Sequence, residues 1–454
     1  MGEYITRVLP GFMELLPEEQ LEFDRIRGII ADTYASFGFT ALDTPLIERR
    51  RTLLAKAGGE TLKQIYSVEN TPGGAGGEGE GELALRYDLT VPLARYVAEH
   101  LNELSFPFRR CHIGKVYRGE RPQKGRYREF YQCDIDVVGR ETLSLNYDAE
   151  IPYIIYTLFR RLDFGKFTIR MNNRKLLSGF LASLPSAGDG AELLRVVDKV
   201  EKLRPEDFMA QLRAQGLSDA DADALRAFIS ISGTPAQVLE RLRGLNVPGE
   251  SYAAGLAELE QVTGMLEAQG VDPAYYTIDV SIARGLDYYT GTVYETMLDE
   301  HPGIGSVCSG GRYENLASCY TAQKLPGVGI SIGLTRLFYQ LQALGLVRCS
   351  RKTAAEVVVV PMEAENLRTA AAAANALRAG GLRVDLLLEQ MNMKKKFQYV
   401  ARKDAPFTVV IGSEEEAAGD AVLQYRGGDG QVVKTRAPMA ELAERVLALR
   451  DGRS

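Results

Sequence analysis

Two runs of alternating apolar and polar residues flank a short basic turn near residue 120. No other feature constrains the fold of this chain so tightly. The first run is "IGKVYR" (113–118) and the second is "FYQCDIDVV" (130–138), with "PQKG" between them. Period-two alternation predicts strands, and Pro and Gly supply turn chemistry, so the segment is expected to form an antiparallel hairpin. Successive strand residues point to opposite faces. Phe130, Gln132, Asp134 and Asp136 therefore share one face, and Arg118 and Glu120 face the same way as each other. Arg118, Arg121, Lys124, Arg126 and Arg128 crowd the connection. Two readings stand. The planar guanidinium forks suit a phosphate, which makes the segment an anion cradle closed by an aromatic ring and carboxylates. Alternatively it is a solvated basic hairpin laced with surface ion pairs.

The rest of the composition narrows the choice of chemistry. The formal net charge is -6, which argues against a nucleic-acid coat or a membrane-surface protein. A local basic groove remains compatible, because phosphate contacts act at short range in salt. The 5 cysteines include no C-x-x-C pair and are odd in number, so a disulfide framework or zinc ribbon is not expected. The start "MGEYITRVLPGF" has no apolar core of a signal peptide, and no run reaches the ~18 apolar residues of a membrane span. A cytoplasmic protein is the expectation.

At 454 residues the chain exceeds one ordinary core, so two or three domains are expected. Phe23, Ile26, Ile30, Tyr34 and Phe37 recur at helical steps, predicting a helix over 18–37 stopped by Gly38. "FTALDTPLIE" alternates until Pro45 and reads as an edge strand. Residues 71–82, "TPGGAGGEGEGE", read as a solvated loop; a phosphate-binding loop would end in Gly-Lys-Ser/Thr. "FTIRMNN" (167–173) reads as a strand. A polar, helical module follows over 174–270, with Ser218 and Thr234 as helix caps and Pro235 at a first helical position. It divides a core that spans 1–348. Strands return in "YYTIDVSIARGLDYYTGTVYETML". Beyond a boundary near 349–353 the pattern alternates strand and helix, predicting a small, mostly parallel α/β domain over 353–454.

Two further constellations stand out. "SIARGLDYYTG" (281–291) sets Arg284 before two tyrosines in a strand-like run. An arginine buried there needs an anionic partner, either a ligand or a structural ion pair. "GVGISIGLTRL" (327–337) is a glycine-rich strand entering a helix, with Arg336 in the first turn. It lacks the dinucleotide spacing, but its glycines let backbone approach a bound group. His100, His112 and His301 have no metal-ligand spacing, so no metal ligands are assigned. A Ser/His/Asp hydrolase is not expected.

Taken in order, these patterns resemble the histidyl-tRNA synthetase family of class II aminoacyl-tRNA synthetases, over nearly the whole chain. "GFTALDTPLIE" resembles motif 1 of the class, at the dimer interface, with its proline at Pro45. "KVYRGERPQKGRYREFYQCDID" resembles motif 2 and "GVGISIGLTRL" motif 3. "RYDLTVPLARY" and "ARGLDYYTG" resemble the histidine-specific signatures. The resemblance implies an α+β fold: an antiparallel-sheet catalytic core with a helical insertion, and a C-terminal α/β domain like the family's anticodon-binding domain. It implies histidine–tRNA ligation in a homodimer, with ATP (and Mg2+ accompanying it), L-histidine and tRNA(His) as partners. By the same resemblance, Arg118 and Arg284 are catalytic at the α-phosphate. Arg118, Glu120, Arg126, Phe130 and Arg336 bind ATP, with Phe130 stacked on adenine. Asp88, Thr90, Gln132, Asp136, Tyr288 and Tyr289 bind histidine. Gln123 and Lys124 meet the tRNA acceptor end. Asp88 and Asp136 stand where many members carry Glu, and Thr335 replaces a frequent Glu.

Two other functions share this fold. One is the synthetase-like regulatory subunit of ATP phosphoribosyltransferase, which generally lacks the last domain. The other is a non-catalytic RNA-binding or sensor module, since fold alone does not fix function. The intact "ARGLDYY", the full motif 2 and the last hundred residues favour the working enzyme.

Overall fold

The computed structural model describes residues 7–55, 63–69, 82–121, 125–188, 190–283, 289–428 and 430–452. The chain clusters into two compact units. One comprises residues up to 13 together with 26–346; the other comprises 14–25 and 347 onward.

The hairpin expected from the alternation is the centre of the first unit. The strands of that unit are β1 (Thr40–Ala41), β2 (Ile47–Arg49), β3 (Ser67–Val68), β4 (Leu83–Leu85), β5 (Phe108–Tyr117), β6 (Glu129–Val138), β7 (Phe167–Asn173), β8 (Tyr276–Ile278), β9 (Tyr289–Leu298), β10 (Cys308–Tyr313) and β11 (Gly327–Gly333). Among the described residues, eight of them form one sheet in the order β1-β5-β6-β11-β10-β9-β7-β8. Its interior pairings, β5–β6, β6–β11, β11–β10, β10–β9 and β9–β7, are all antiparallel. Only the edge strands β1 and β8 pair in parallel. A short sheet, β2-β4-β3, lies outside it. The "FTALDTPLIE" run is thus two strands in two sheets, β1 and β2. Pro45 lies between them, where its ring removes a ladder donor.

The even-numbered face of β6 carries the polar row, while Cys133, Ile135 and Val137 on the other face are fully buried. Tyr34, also fully buried, donates from its hydroxyl to the Cys133 carbonyl at 3.1 Å. It comes from the helix Pro17–Ser36, whose expected apolar residues Ile26 and Ile30 are likewise fully buried. A strand with one apolar and one polar face cannot slip by one residue without burying the wrong set, so this packing fixes the register.

From Arg174 to Ala268 the chain is mostly helical. Ser218 Oγ accepts from Asp221 N, and Thr234 forms a capping box with Gln237 ahead of Pro235, as the sequence indicated. The helices enclose a core of their own, in which Phe180 and Phe228 stack with centroids 3.9 Å apart. The helices Arg174–Ser183 and Glu250–Ala268 touch closely through glycines. A β-carbon on Gly179 would fall 2.5 Å from Tyr252 N, and one on Gly255 2.3 Å from Leu176 N.

The second unit holds β12 (Val357–Pro361), β13 (Val384–Leu386), β14 (Phe407–Ile411), β15 (Asp420–Arg426) and β16 (Val432–Pro438), in the order β13-β12-β14-β15-β16. β12 pairs with β13 and β14 in parallel, but β14–β15 and β15–β16 are antiparallel. The sheet is therefore mixed rather than mostly parallel. The alternating runs around "GGDG" at 427–430 mark the hairpin that a strand–helix reading overlooks. Among the described residues no helix is long and apolar enough to cross a membrane.

Alanine in a helix interior is normally about 1 kcal/mol better than glycine. Gly255→Ala should nonetheless destabilise the protein by about 1–3 kcal/mol, because the added carbon overpacks the helix crossing. Gly264→Ala on the same helix, which meets nothing within 4 Å, should stabilise it slightly. Thermal melts of the pair check the sign of each.

Candidate active site

The polar row of β6 forms the floor of a cavity of about 510 Å³ in the first unit. Every described residue assigned a site role from the sequence lines it: Asp88, Thr90, Arg118, Glu120, Arg126, Phe130, Gln132, Asp136, Tyr289 and Arg336. Arg284, Tyr288, Gln123 and Lys124 lie outside the described residues.

Local structure places each group. Arg118 follows β5, and its amide donates to Arg128 O at 2.9 Å, closing the hairpin mouth. Its guanidinium lies over Tyr87 and Phe130, 4.4 and 5.1 Å from the ring centroids, and Nε donates to Tyr87 O at 3.3 Å. The side chain is thus held by two rings. Arg126 pairs with Glu120 at 3.5 Å across the connection. Arg336 projects from the first turn of the helix Leu334–Ala343, and Nη2 donates to Ile304 O at 2.8 Å. Thr335, in place of the frequent Glu, is buried and accepts from Tyr131 N at 2.9 Å, tying the start of this helix to β6. Asp88 Oδ1 accepts from Val91 N at 3.0 Å and so caps the helix Thr90–Glu99, at whose start Thr90 sits. Gly329 lies opposite Asp136 in the β6–β11 pairing. A β-carbon there would fall 2.5 Å from Asp136 Oδ1, so only glycine leaves that carboxylate its place.

The far end of the floor is acidic. Asp88, Asp134 and Asp136 are all buried. Arg110, fully buried, stands opposite Asp136 on β5. Its Nη2 lies 3.2 Å from Asp136 Oδ2 and donates to Leu89 O at 2.7 Å. Tyr313 donates to Asp136 Oδ1 at 3.0 Å. Burial pushes the Asp136 and Asp88 carboxyls up, against the pull of Arg110 on both and of Arg118 on Asp88. Asp134 is pushed up to about 7, mainly by burial, with Arg110 and the Ser331 hydroxyl opposing it. His112, opposite Asp134 on β5, is pushed down to about 4 by burial and by Arg110 and Arg86. It is therefore neutral and supplies no cation. Arg110, with Arg118 acting on Asp88, faces three carboxylates, so the pocket keeps an excess of acid. Gln132 Oε1 and Asp134 Oδ1 are buried with no hydrogen-bond partner among the described residues. Such orphaned acceptors are costly unless something donates to them.

Sequence reasoning gave no role to Arg110, Asp134, Ser331 or Tyr313. Asp134 lies in the same period-two row as Gln132 and Asp136, and that signal was sufficient to include it. Arg110 was detectable as a charge inside the alternating run "FRRCHIGKVY". Ser331 and Tyr313 enter only through strand pairing.

The histidyl-tRNA synthetase family model matches residues 11–337, and the anticodon binding domain model matches 356–449. The histidine–tRNA ligase of Clostridium tetani is 49% identical over 409 residues, covering 90% of this chain and 91% of the relative. That of Xanthomonas campestris pv. campestris is 48% identical over 431 residues, covering 91% of this chain and 90% of the relative. The chain belongs to the histidyl-tRNA synthetase family. It is accordingly an enzyme, an aminoacyl-tRNA synthetase. The crystal structure of histidyl-tRNA synthetase from Nostoc sp. PCC 7120 superposes with a TM-score of 0.89 at 39% identity, covering 98% of this chain and all of that one. The crystal structure of an ATP phosphoribosyltransferase regulatory subunit/histidyl-tRNA synthetase from Bacillus halodurans shares the fold at 21% identity and a TM-score of 0.73, covering 91% of this chain and all of that one. In this family member the α+β core and C-terminal domain are as the motifs implied.

The raised carboxyl of Asp134 has a stability consequence. Between about pH 4 and 7 the folded protein holds a proton there that the unfolded chain releases, so this group's contribution falls as pH rises. Relative to wild type, Asp134→Asn should gain stability with increasing pH across that window, by on the order of 2–4 kcal/mol. Denaturant melts of the two proteins at pH 4.5 and 8 check it; a pH-independent difference would contradict the buried, strained carboxylate.

Proposed function

We propose that this cavity joins L-histidine to ATP, giving histidyl-adenylate and pyrophosphate, and then passes the histidyl group to the 3' end of tRNA(His). The observation that carries this reading is the gathering of phosphate-type and amine-type groups in one cavity. Arginines from the β5–β6 connection and the Leu334–Ala343 helix line it together with buried, orphaned acceptors on β6.

The histidine carboxylate attacks the α-phosphorus of ATP in line and pyrophosphate leaves. Negative charge builds on the phosphoryl oxygens, so a preorganised cation there lowers the barrier. Arg118 is that cation, fixed by Tyr87 and Phe130. Arg284 is the second, assigned by its place in "ARGLDYY". Arg336 and Arg126 hold the outer phosphates and Glu120 the adenine amine. Phe130 stacks on the adenine. Mg2+ arrives as part of the ATP substrate. At the acidic end, Asp88, Thr90 and Gln132 take the histidine amine. Asp136, Tyr288 and Tyr289 read the imidazole. Groups that bond both ring nitrogens reject a side chain lacking them, because buried polar atoms are then left unpaired. Holding both substrates on one rigid sheet removes much of the entropic cost of their meeting. Gln123 and Lys124 meet the tRNA acceptor end, and the last domain over 353–454 meets the anticodon. The protein works as a cytoplasmic homodimer joined through the segment around Pro45.

The regulatory-subunit alternative is disfavoured by identities of 39–49% to relatives named as histidine–tRNA ligases or histidyl-tRNA synthetase, against 21% to the structure that carries the subunit's name.

Pyrophosphate–ATP exchange run with each amino acid in turn should respond to histidine alone; exchange with none, or with a different amino acid, would overturn the assignment. Arg284→Ala should lower histidine-dependent exchange by at least about a hundredfold, as losing a transition-state charge partner does elsewhere, with an unchanged melting temperature. Exchange near the wild-type rate would remove Arg284 from the chemistry.

A further inference from the structure

Arg118 follows β5 at the mouth of the hairpin and is only half-buried. A long side chain in such a place samples many rotamers, and a charge that serves a transition state is worth most when it is already in position. Its Nε donates to Tyr87 O at 3.3 Å, and among the described residues neither Nη makes a hydrogen bond. The rest of the hold comes from rings. The guanidinium carbon lies 4.4 Å from the centroid of Tyr87 and 5.1 Å from that of Phe130.

The two rings are not equivalent. Phe130 lines the cavity and is the ring assigned to adenine, whereas Tyr87 does not line it. Tyr87 is itself fixed. Its hydroxyl donates to Gln64 Oε1 at 3.0 Å, and the backbone oxygen of Gln64 accepts from Gly119 N at 2.6 Å. Gln64 thus grips both the ring that Arg118 covers and the residue that follows Arg118. A β-carbon on Gly119 would fall 3.0 Å from the same backbone oxygen, so the approach is close. We propose that Tyr87 is a positioning residue for the activation step: from outside the cavity its ring face and backbone oxygen hold Arg118, which leaves both Nη groups to the α-phosphate and Phe130 to the base. This rests on the reading of the cavity as the site of histidine activation. Tyr87 touches no substrate and acts through Arg118.

A ring attracts a cation through the negative potential of its face, and fluorine drains that potential with little change of shape. The readout is single-turnover formation of histidyl-adenylate by the full chain. Tyr87→Phe, which keeps the ring, should retain most of the rate. Mono-, di- and trifluorination of that ring should lower the rate by a steady factor at each step, about tenfold in all, the size of a lost cation–π contact. Tyr87→Leu should lower it by about tenfold too. The histidine and ATP concentrations that give half the maximal rate should stay within about twofold, because the charge that Arg118 meets builds in the transition state. In an Arg118→Ala background, Tyr87→Leu should cost nothing further, since the group it positions is gone. A flat response to fluorination overturns the proposal. So does a Tyr87→Leu loss that multiplies with that of Arg118→Ala, or one confined to the half-saturating concentrations, as a ring that merely packs would give. The fluorinated series carries the test if Tyr87→Leu does not fold. Wild-type protein that shows no histidine-dependent exchange would instead defeat the functional assignment itself, and that readout is separate.

Discussion

A fully buried arginine against three buried carboxylates is the interaction on which the site depends. Arg110 on β5 faces Asp136 on β6, with Asp134 and Asp88 close by. Buried charges on this scale persist only where geometry supplies partners, since removing one leaves the others uncompensated. Here the compensation is deliberately incomplete. Asp134 Oδ1 and Gln132 Oε1 lack partners among the described residues, and burial raises all three carboxyls. The imbalance is a standing demand for a cation with hydrogen-bond donors, which is what an amino acid's ammonium and an imidazole provide.

The antiparallel sheet turns that demand into a two-substrate site. Directly paired residues share a face, so β6 can be read across to β5 and β11 in rows. Phe130 lies toward the hairpin mouth, where Arg118 and the Arg336 helix stand; Asp136 is six residues from Phe130, or about 20 Å at strand spacing. The arginines and the acidic floor therefore occupy opposite ends of one strand. The other face of the same strand, with Cys133, Ile135 and Val137, is buried in the core. The apolar packing that sets the register of β6 thus also aims its polar row.

Much of this was legible in the chain. Alternation gave the hairpin, its polar face and the strand–helix junction at Gly333–Leu334. The arginine, glycine and tyrosine motifs led to the family. The parts that were not legible share a cause. Thr335 reads as a departure from the pattern, and its function appears only where it meets Tyr131 N, 204 positions away in the chain. Ser331 is one serine in an apolar strand until pairing sets it opposite Asp134. The antiparallel β15–β16 pair is masked by the strand–helix alternation that precedes it, although "GGDG" marks the turn.

Local sequence determined the periods, the caps at Ser218 and Thr234, the turn residues and the chemical types available to the site. These follow from short-range sterics and hydrogen bonding, which act within a few residues. Only the tertiary structure decided that Arg110 would pair with Asp136, that Gly329 would clear room for it, and that Ser331 would accept from the Gln132 amide. Each of those depends on which strands lie side by side and in what register. That is set by burying the whole apolar face at once, a global balance that no short stretch of the chain encodes.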